Sequence, residues 1–268
     1  MKAVVLAAGI GSRMRRPDPG ADLDAEQRSA ADRGLKALVP IAGRPFLDHA
    51  LSRLADAGIL DVVLVVGPST RAIRDHYEAS CPGRVHLAFA EQPEPRGSAD
   101  ALLAAERFAD GGEFLAMNSD DLYPVSALRG LRTLGGPGLP VFERRALLEK
   151  SNFSPERIGG FAVLRLDPGG FLGGIVEKPD SADLSAPDGE VLLSMNLWRF
   201  PPAIFDACRR VPESVRGEQE LPQAVGLGIA SGTLRLATFR CDEPVLDLTT
   251  RGDVAVVSER LRGVEARP

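Results

Sequence analysis

Leu6-Ala7-Ala8-Gly9-Ile10-Gly11-Ser12-Arg13-Met14 ends the apolar run that opens at Lys2. Lys2 to Ala7 reads as a β-strand. The glycines behind it read as a turn that can bring backbone N–H groups up to a phosphate or a base, because glycine permits close approach and unusual dihedrals. A dinucleotide fingerprint, G-x-G-x-x-G, would need glycine where Met14 stands, and nothing in the chain matches the P-loop G-x-x-x-x-G-K-[ST]. Arg13 adds a planar, bidentate cation two residues past the second glycine. A strand feeding such a turn is the start of an α/β fold.

The sequence downstream continues in that style. Leu47, Ala50, Leu51 and Leu54 recur at helical spacing and predict a helix over Phe46 to Ala57, stopped by Gly58. Asp61 to Val66 reads as a strand, unbroken in its apolar run Val62–Val66 and hence covered on both faces. A helix from a Ser69 cap to about Ala79, a strand over Val85 to Ala90, a helix over Ala99 to Phe108 capped by Ser98, and a strand over Glu113 to Asn118 follow. This alternation predicts β-α-β units and parallel pairing. A helix is also expected after Pro124. Phe161–Leu166 and Phe171–Val176 then flank Asp167-Pro168-Gly169-Gly170, a hairpin signature that makes the sheet mixed. Val191 to Phe200 reads as one strand, Pro201 to Arg210 and Glu218 to Ile229 as helices, Thr233–Phe239 and Val245–Leu248 as short strands, and Gly252 to Leu261 as a closing helix.

No internal repeat and no linker divides the 268 residues, so a single domain is expected, with a first half over 1–130 and a second over 131–268. Residues 15–34 are rich in Pro, Gly and small polar residues, with a weak helix near Leu23 to Asp32, and read as a flexible flap. Hydrophobic residues make up 44% and charged residues 26% of the chain, which excludes disorder, collagen and coiled coil. A net charge of -5 argues against nucleic acid and anionic membranes as partners, while leaving phosphorylated small molecules open. No apolar stretch reaches the ~20 residues that span a bilayer. Cys81, Cys208 and Cys241 are too few and too scattered for a disulfide framework or a zinc cluster, so a reducing cytoplasm is expected. His49, His76 and His86 lie outside every motif, which leaves histidine acid–base chemistry unsupported. Only Lys2, Lys36, Lys150 and Lys178 are lysines among 32 basic residues, and Lys36 and Lys178 fall inside motifs.

Those motifs are Lys36-Ala37-Leu38-Val39-Pro40-Ile41-Ala42-Gly43-Arg44-Pro45, Glu91-Gln92-Pro93-Glu94-Pro95-Arg96-Gly97-Ser98-Ala99-Asp100-Ala101, Asn118-Ser119-Asp120-Asp121 and Val176-Glu177-Lys178-Pro179. With the glycine turn they cover residues 3–179 in order, and Leu246-Asp247-Leu248-Thr249-Thr250 follows near the C-terminus. Together they resemble the sugar-1-phosphate nucleotidyltransferases, whose patterns run L-A-A/G-G-x-G-[ST]-R-[LM], P-K-x-L-x-P-[IV]-x-x-[KR]-P, Q-x-x-P-x-G-[ST]-A-[DQ]-A, G-D, E-K-P and L-D-x-G-[ST]. The first pattern alone is shared with the cytidylyltransferase of isoprenoid synthesis and the molybdenum-cofactor nucleotidyltransferases. The resemblance implies a three-layer α/β, Rossmann-like fold with a mixed, mostly parallel central sheet, the first half holding nucleotide and the second sugar phosphate.

The implied reaction is attack of a sugar-1-phosphate oxygen on the α-phosphorus of a nucleoside triphosphate, with pyrophosphate leaving. No covalent enzyme intermediate is needed, so positioning and cations supply most of the acceleration. The resemblance gives Arg13 to the departing phosphates, Lys36 to the α-phosphate and Lys178 to the sugar phosphate. It gives Ala7, Ala8, Gly9, Gly11, Ser12, Gln92, Gly97 and Ser98 to the nucleotide, with the base leaning to that of UTP or dTTP. Asp121, Gly160, Glu177 and Asn196 fall on the sugar-phosphate side. Mg²⁺ is expected on Asp120 and Asp247, since it needs only one or two carboxylates beside substrate oxygens. Asp121 is an alternative to Asp120, and both Asp120 and Asp247 could instead cap helices. Leu35, the long 15–34 segment and Ser119-Asp120-Asp121 in place of Gly-Asp depart from the pattern and could accommodate an unusual sugar or cyclitol phosphate, and Thr249 in place of the family's glycine is what keeps the cap reading of Asp247 open. Assembly into a homo-oligomer stays open. The alternatives are a cytidylyltransferase acting on a small alcohol phosphate and a non-catalytic sugar-nucleotide-binding regulatory protein.

Overall fold

In the computed structural model the described residues are 1–177, 179–180, 183–184, 190–214 and 217–268. β1 (Lys2–Leu6) runs into the glycine turn and is followed by α1 (Ser12–Arg15) and α2 (Ala25–Asp32). A 3-10 turn over Lys36–Leu38 leads to a ribbon of β2 (Pro40–Ile41) and β3 (Arg44–Pro45), reversed at Ala42 and Gly43, both at positive φ. Then come α3 (Phe46–Asp56), β4 (Asp61–Val66), α4 (Arg71–Ser80), β5 (His86–Glu91), α5 (Ser98–Ala104), α6 (Glu106–Ala109) and β6 (Phe114–Asn118). β7 (Asp121–Leu122), α7 (Val125–Thr133), β8 (Gly138–Glu143), α8 (Arg144–Lys150) and α9 (Pro155–Ile158) precede the hairpin of β9 (Val163–Leu166) and β10 (Leu172–Val176). β11 (Leu192–Leu193), β12 (Trp198–Phe200), α10 (Ile204–Arg210), α11 (Leu221–Ala230), β13 (Ala237–Cys241), β14 (Leu246–Asp247) and α12 (Asp253–Arg260) complete the chain.

The main sheet runs β10-β9-β11-β8-β12-β6-β1-β4-β5, with β13 alongside β8. β1 is parallel to both β4 and β6, placing Val5 beside Leu64 on one side and Met117 on the other. β12 joins β6 antiparallel, so the two halves of the chain share one continuous sheet. Successive strand residues face opposite sides. Ala3 and Val5 therefore pack under α3, α4 and α7, whereas Val4 packs with α5, α10 and α11, giving two cores and three layers. Residues at the carboxyl ends of β1 and β6, the glycine turn and Asp120, open at one edge of the parallel core, where open α/β sheets bind ligands.

Several local expectations change. Val191 to Phe200 is two strands, because Asn196 stands at φ 54 and the chain leaves the β8–β9 side to pair with β6. Left-handed backbone is tolerated by asparagine and ends a strand. The expected Ser69 cap is a 3-10 turn over Pro68–Thr70, in which the Gly67 N–H donates to the Thr70 hydroxyl at 2.9 Å. The helix over Ala99 to Phe108 is split at Ala105 into α5 and α6. Of the strand expected over Thr233–Phe239 only the part from Ala237 pairs.

Residues 15–34, expected as a flexible flap, carry an anchored helix. Asp24 and Gln27 form a reciprocal capping box at its start, and Leu23 and Ala31 are buried in the core. Gln27 Nε2 donates to the Pro40 carbonyl at 2.9 Å, and Asp32 pairs with buried Arg251 at 2.5 Å. These anchors give a polar, proline-broken segment the tertiary support its own composition lacks.

Candidate active site

The glycine turn is locked from beneath and open above. Ala7 N–H donates to the Val65 carbonyl at 2.8 Å, continuing the parallel ladder past β1. Gly11 sits at φ 64, and a Cβ there would lie 2.1 Å from the Gly34 carbonyl oxygen, so only glycine lets the turn close on the end of the 15–34 segment. A Cβ on Gly9 would meet nothing within 4 Å. Gly9 and Ser12 are exposed, Ala7 and Ala8 are buried, and Arg13 stands exposed in α1. A cavity of about 70 Å³ joins this turn to Lys36, Ser119 and Asp120.

Lys36, carried on the 3-10 turn, places Nζ 2.7 Å from Asp120 Oδ2 and 3.4 Å from Thr249 Oγ1. Burial alone would raise the Asp120 pKa, but the Lys36 charge, its hydrogen bond and Arg13 outweigh it and hold the carboxyl below its usual range. Asp121, at the start of β7, is buried. Its Oδ2 accepts from Asn118 Nδ2 at 3.1 Å and the Tyr123 hydroxyl at 3.2 Å, and its Oδ1 is buried with no partner among the described residues. Burial, then the charges of Asp247 and Asp120, push the Asp121 carboxyl well up.

Asp247 arrives from β14, directly opposite Asp121 in an antiparallel ribbon, while Leu248 N–H donates to the Asp120 carbonyl at 2.9 Å. One Asp247 oxygen pairs with Arg157 and the other accepts from the Thr249 hydroxyl at 3.1 Å. Burial and the nearby Asp120 charge raise its pKa to about 6 against the opposing pull of Arg157. Neither Asp120 nor Asp247 caps a helix: α7 starts behind Pro124 without a side-chain cap, and Asp253 receives the Thr249 and Thr250 N–H groups ahead of α12. Among the described residues no group of three or more His, Cys, Asp or Glu side chains forms a metal cluster. Asp120 and Asp247 offer hard oxygen donors close enough to raise one another's need for a cation, a set that fits Mg²⁺ completed by substrate oxygens and water.

In the loop expected at the base, both amide hydrogens of buried Gln92 are committed to its own chain, at 3.0 Å to the Gly97 carbonyl and 2.8 Å to Asp100. Gly97 stands at φ 112, and a Cβ there would lie 2.4 Å from the Gln219 carbonyl oxygen; its glycine is demanded by packing against that strand of backbone. Ser98 Oγ is not a helix cap but receives the Leu221 N–H at 2.9 Å. On the expected sugar side, Glu177 directly follows β10, Gly160 is exposed behind α9, and Asn196 holds a buried Oδ1 with no partner among the described residues. Lys178 lies outside the described residues.

The sequence reading missed Arg157, Asp253 and Arg251, and took Thr249 only as a departure from the family pattern. Thr250-Arg251-Gly252-Asp253 is a capping-box pattern that marks Asp253, and Ser154-Pro155 marks the start of α9 and so the placing of Arg157. Arg251 is buried and donates to the Met14 carbonyl at 3.0 Å and the Arg15 carbonyl at 3.2 Å, a role with no local signal.

Residues 3–133 match the model of the MobA-like NTP transferase domain. The chain is 30% identical over 266 residues to the UTP–glucose-1-phosphate uridylyltransferase AglF of Haloferax volcanii, an alignment covering 98% of this chain and 97% of the relative. It is 31% identical over 225 residues to a glucose-1-phosphate thymidylyltransferase of Streptomyces antibioticus, covering 84% of this chain and 56% of that protein. Its fold matches a UDP-glucose pyrophosphorylase solved with UDP-glucose at a TM-score of 0.74 and 17% identity, covering 98% of this chain and 99% of that one.

Proposed function

Because this chain belongs to the sugar-1-phosphate nucleotidyltransferase family, we propose that it transfers a nucleotidyl group, from UTP or dTTP, to a sugar-1-phosphate, giving an NDP-sugar and pyrophosphate. The observation that carries this reading is the Lys36 ammonium, 2.7 Å from Asp120 at the cavity beneath the glycine turn. A cation and a carboxylate are thereby held where a triphosphate resting on the turn must pass.

The chemistry needs two anionic esters brought into line against their mutual repulsion. Gly9, exposed and with open space where a Cβ would sit, leaves the backbone of the turn open to the triphosphate. Exposed Arg13 takes the departing β- and γ-phosphates with its planar fork. Lys36, oriented by Asp120 and Thr249, presents its remaining donor capacity to the α-phosphate, where charge grows in the transition state. Lys178 neutralises the incoming sugar phosphate, while Glu177 and Asn196 Oδ1, which has no partner among the described residues, accept hydrogen bonds from sugar hydroxyls. Magnesium, held by Asp120 and Asp247, would neutralise phosphoryl oxygens. Asp120 suits that role better than Asp121, because it lines the cavity and is kept ionised.

The reading extends to a single domain with nucleotide bound by 1–130 and sugar phosphate by 131–268, and to a reducing cytoplasm suited to three unpaired thiols. Neither UTP nor dTTP is favoured by the Gln92 amide group, whose hydrogens are spent on the loop; Oε1 is the part left to read a base. The test is a pyrophosphate-release assay crossing the five common nucleoside triphosphates with a panel of sugar-1-phosphates in Mg²⁺. Release only when UTP or dTTP meets a sugar-1-phosphate is expected. Tight nucleotide binding without release from any pair would overturn the catalytic reading.

A further inference from the structure

We propose that Thr249 is a positioning residue that ties Lys36 to Asp247, a link that the family pattern, with glycine at this position, does not contain. The inference rests on the functional reading above and deepens it. Thr249 is 1% exposed, and its backbone is pinned by its own N–H donating to Asp253 Oδ2 at 3.0 Å. Its hydroxyl has one hydrogen to give and lone pairs to receive. The hydroxyl hydrogen goes to Asp247 Oδ2 at 3.1 Å, and Thr249 Oγ1 in turn accepts from Lys36 Nζ at 3.4 Å. Lys36 in turn reaches Asp120 Oδ2 at 2.7 Å. One chain of contacts, Asp120, Lys36, Thr249 and Asp247, therefore connects the phosphate lysine with both carboxylates assigned to the divalent ion.

Glycine at 249 would supply the same backbone N–H to Asp253 but nothing to either Lys36 or Asp247. The long lysine side chain would then be steered by Asp120 alone, and Asp247 Oδ2 would lose its neutral donor. A β-branched residue is also restricted at χ1, so the hydroxyl stays aimed. Buried and nearly inaccessible, it fixes the spacing of the two carboxylates before any ion or nucleotide arrives, the kind of preorganisation that supports a reacting site. Thr249 itself touches no substrate.

The experiment compares wild type with Thr249→Val, which keeps shape and removes the hydroxyl, and Thr249→Ser, which keeps the hydroxyl and removes the methyl. Mn²⁺ is titrated into each protein without nucleotide and followed by EPR, melting temperature is recorded, and kcat and KM for the triphosphate are measured separately. Expected for Thr249→Val is Mn²⁺ binding about five- to ten-fold weaker, the effect of one hydrogen bond, with KM for triphosphate raised by a similar factor and kcat changed less. Thr249→Ser returns both within about two-fold of wild type on the same scale. Unchanged Mn²⁺ affinity and KM in Thr249→Val, or a serine variant that behaves like valine, would overturn the inference while an active wild type leaves the functional reading intact. A wild type that binds no Mn²⁺ and releases no pyrophosphate would overturn both. Should Thr249→Val fail to fold, Thr249→Gly, which restores the family residue, is read by the same two measurements.

Discussion

Lys36 Nζ stands 2.7 Å from Asp120 Oδ2, joining a residue of the 3-10 turn after the first helices to one beyond β6, 84 positions later. The pair is the junction of the glycine turn and the carboxylate ribbon, and both members are well shielded from solvent. Asp120→Asn leaves the size of the side chain and removes the charge that steers Lys36. Turnover is expected to fall at least ~100-fold, the scale of losing one preorganised electrostatic contact, with a cooperative melt retained at a lower midpoint because Lys36 loses its partner. Steady-state pyrophosphate release and a thermal melt check this; turnover within a few-fold of wild type would reassign Asp120.

The two glycines of the turn separate a folding role from a ligand role. Gly11→Ala places a methyl 2.1 Å from the Gly34 carbonyl oxygen at a positive φ, so a loss of about 2–4 kcal/mol is expected. Gly9→Ala meets nothing of the protein within 4 Å, so the melt should not move while KM for the triphosphate rises. Denaturant melts and triphosphate kinetics of both variants decide it. Equal loss of stability in the two would contradict the open approach assigned to Gly9.

Arg251 ties the end of α1, α2 and the turn before α12 into one unit. Removing it as Arg251→Ala leaves the Met14 carbonyl without its buried donor, and a cost of about 2–3 kcal/mol is expected. Asp32, by contrast, is 58% exposed in its side chain, so Asp32→Asn should cost below about 1 kcal/mol. Limited proteolysis should cut within residues 15–34 faster in Arg251→Ala than in wild type. Equal cleavage rates would show that the capping box and the two apolar anchors suffice.

His49 is buried in α3, its Nε2 3.0 Å from the Ile41 carbonyl and its Nδ1 without a partner among the described residues. Burial depresses its pKa from the ordinary 6.5, so the folded protein favours the neutral ring. Its contribution is therefore fully present above pH 6.5 and is lost as pH falls from there through the depressed folded value. Urea midpoints from pH 7 down to about 5 should decline in wild type and decline less in His49→Gln, which keeps a donor for Ile41 and cannot charge. Parallel curves would place the acid sensitivity elsewhere.

What the sequence determined by itself was whatever is written locally or by period. The unbroken run Val62–Val66 meant a doubly covered strand, the spacing of Leu47, Leu51 and Leu54 meant a helix, and Gly9-Ile10-Gly11 meant a turn behind the first strand. The family resemblance added Lys36, Asp120 and Asp247 as candidates, because each lies inside a short motif. Tertiary structure decided the rest. Gln92 turns inward because Asp100 and the Gly97 carbonyl wait eight and five residues away, a choice made by loop packing. Strand order broke at Asn196 because β12 had a partner in β6. The roles of Arg157, Arg251 and Thr249 depend on contacts that only the folded chain makes, with partners as far as 237 residues distant. Propensity and period act over a turn or a strand; which buried donor meets which buried acceptor depends on chain closure over the whole molecule.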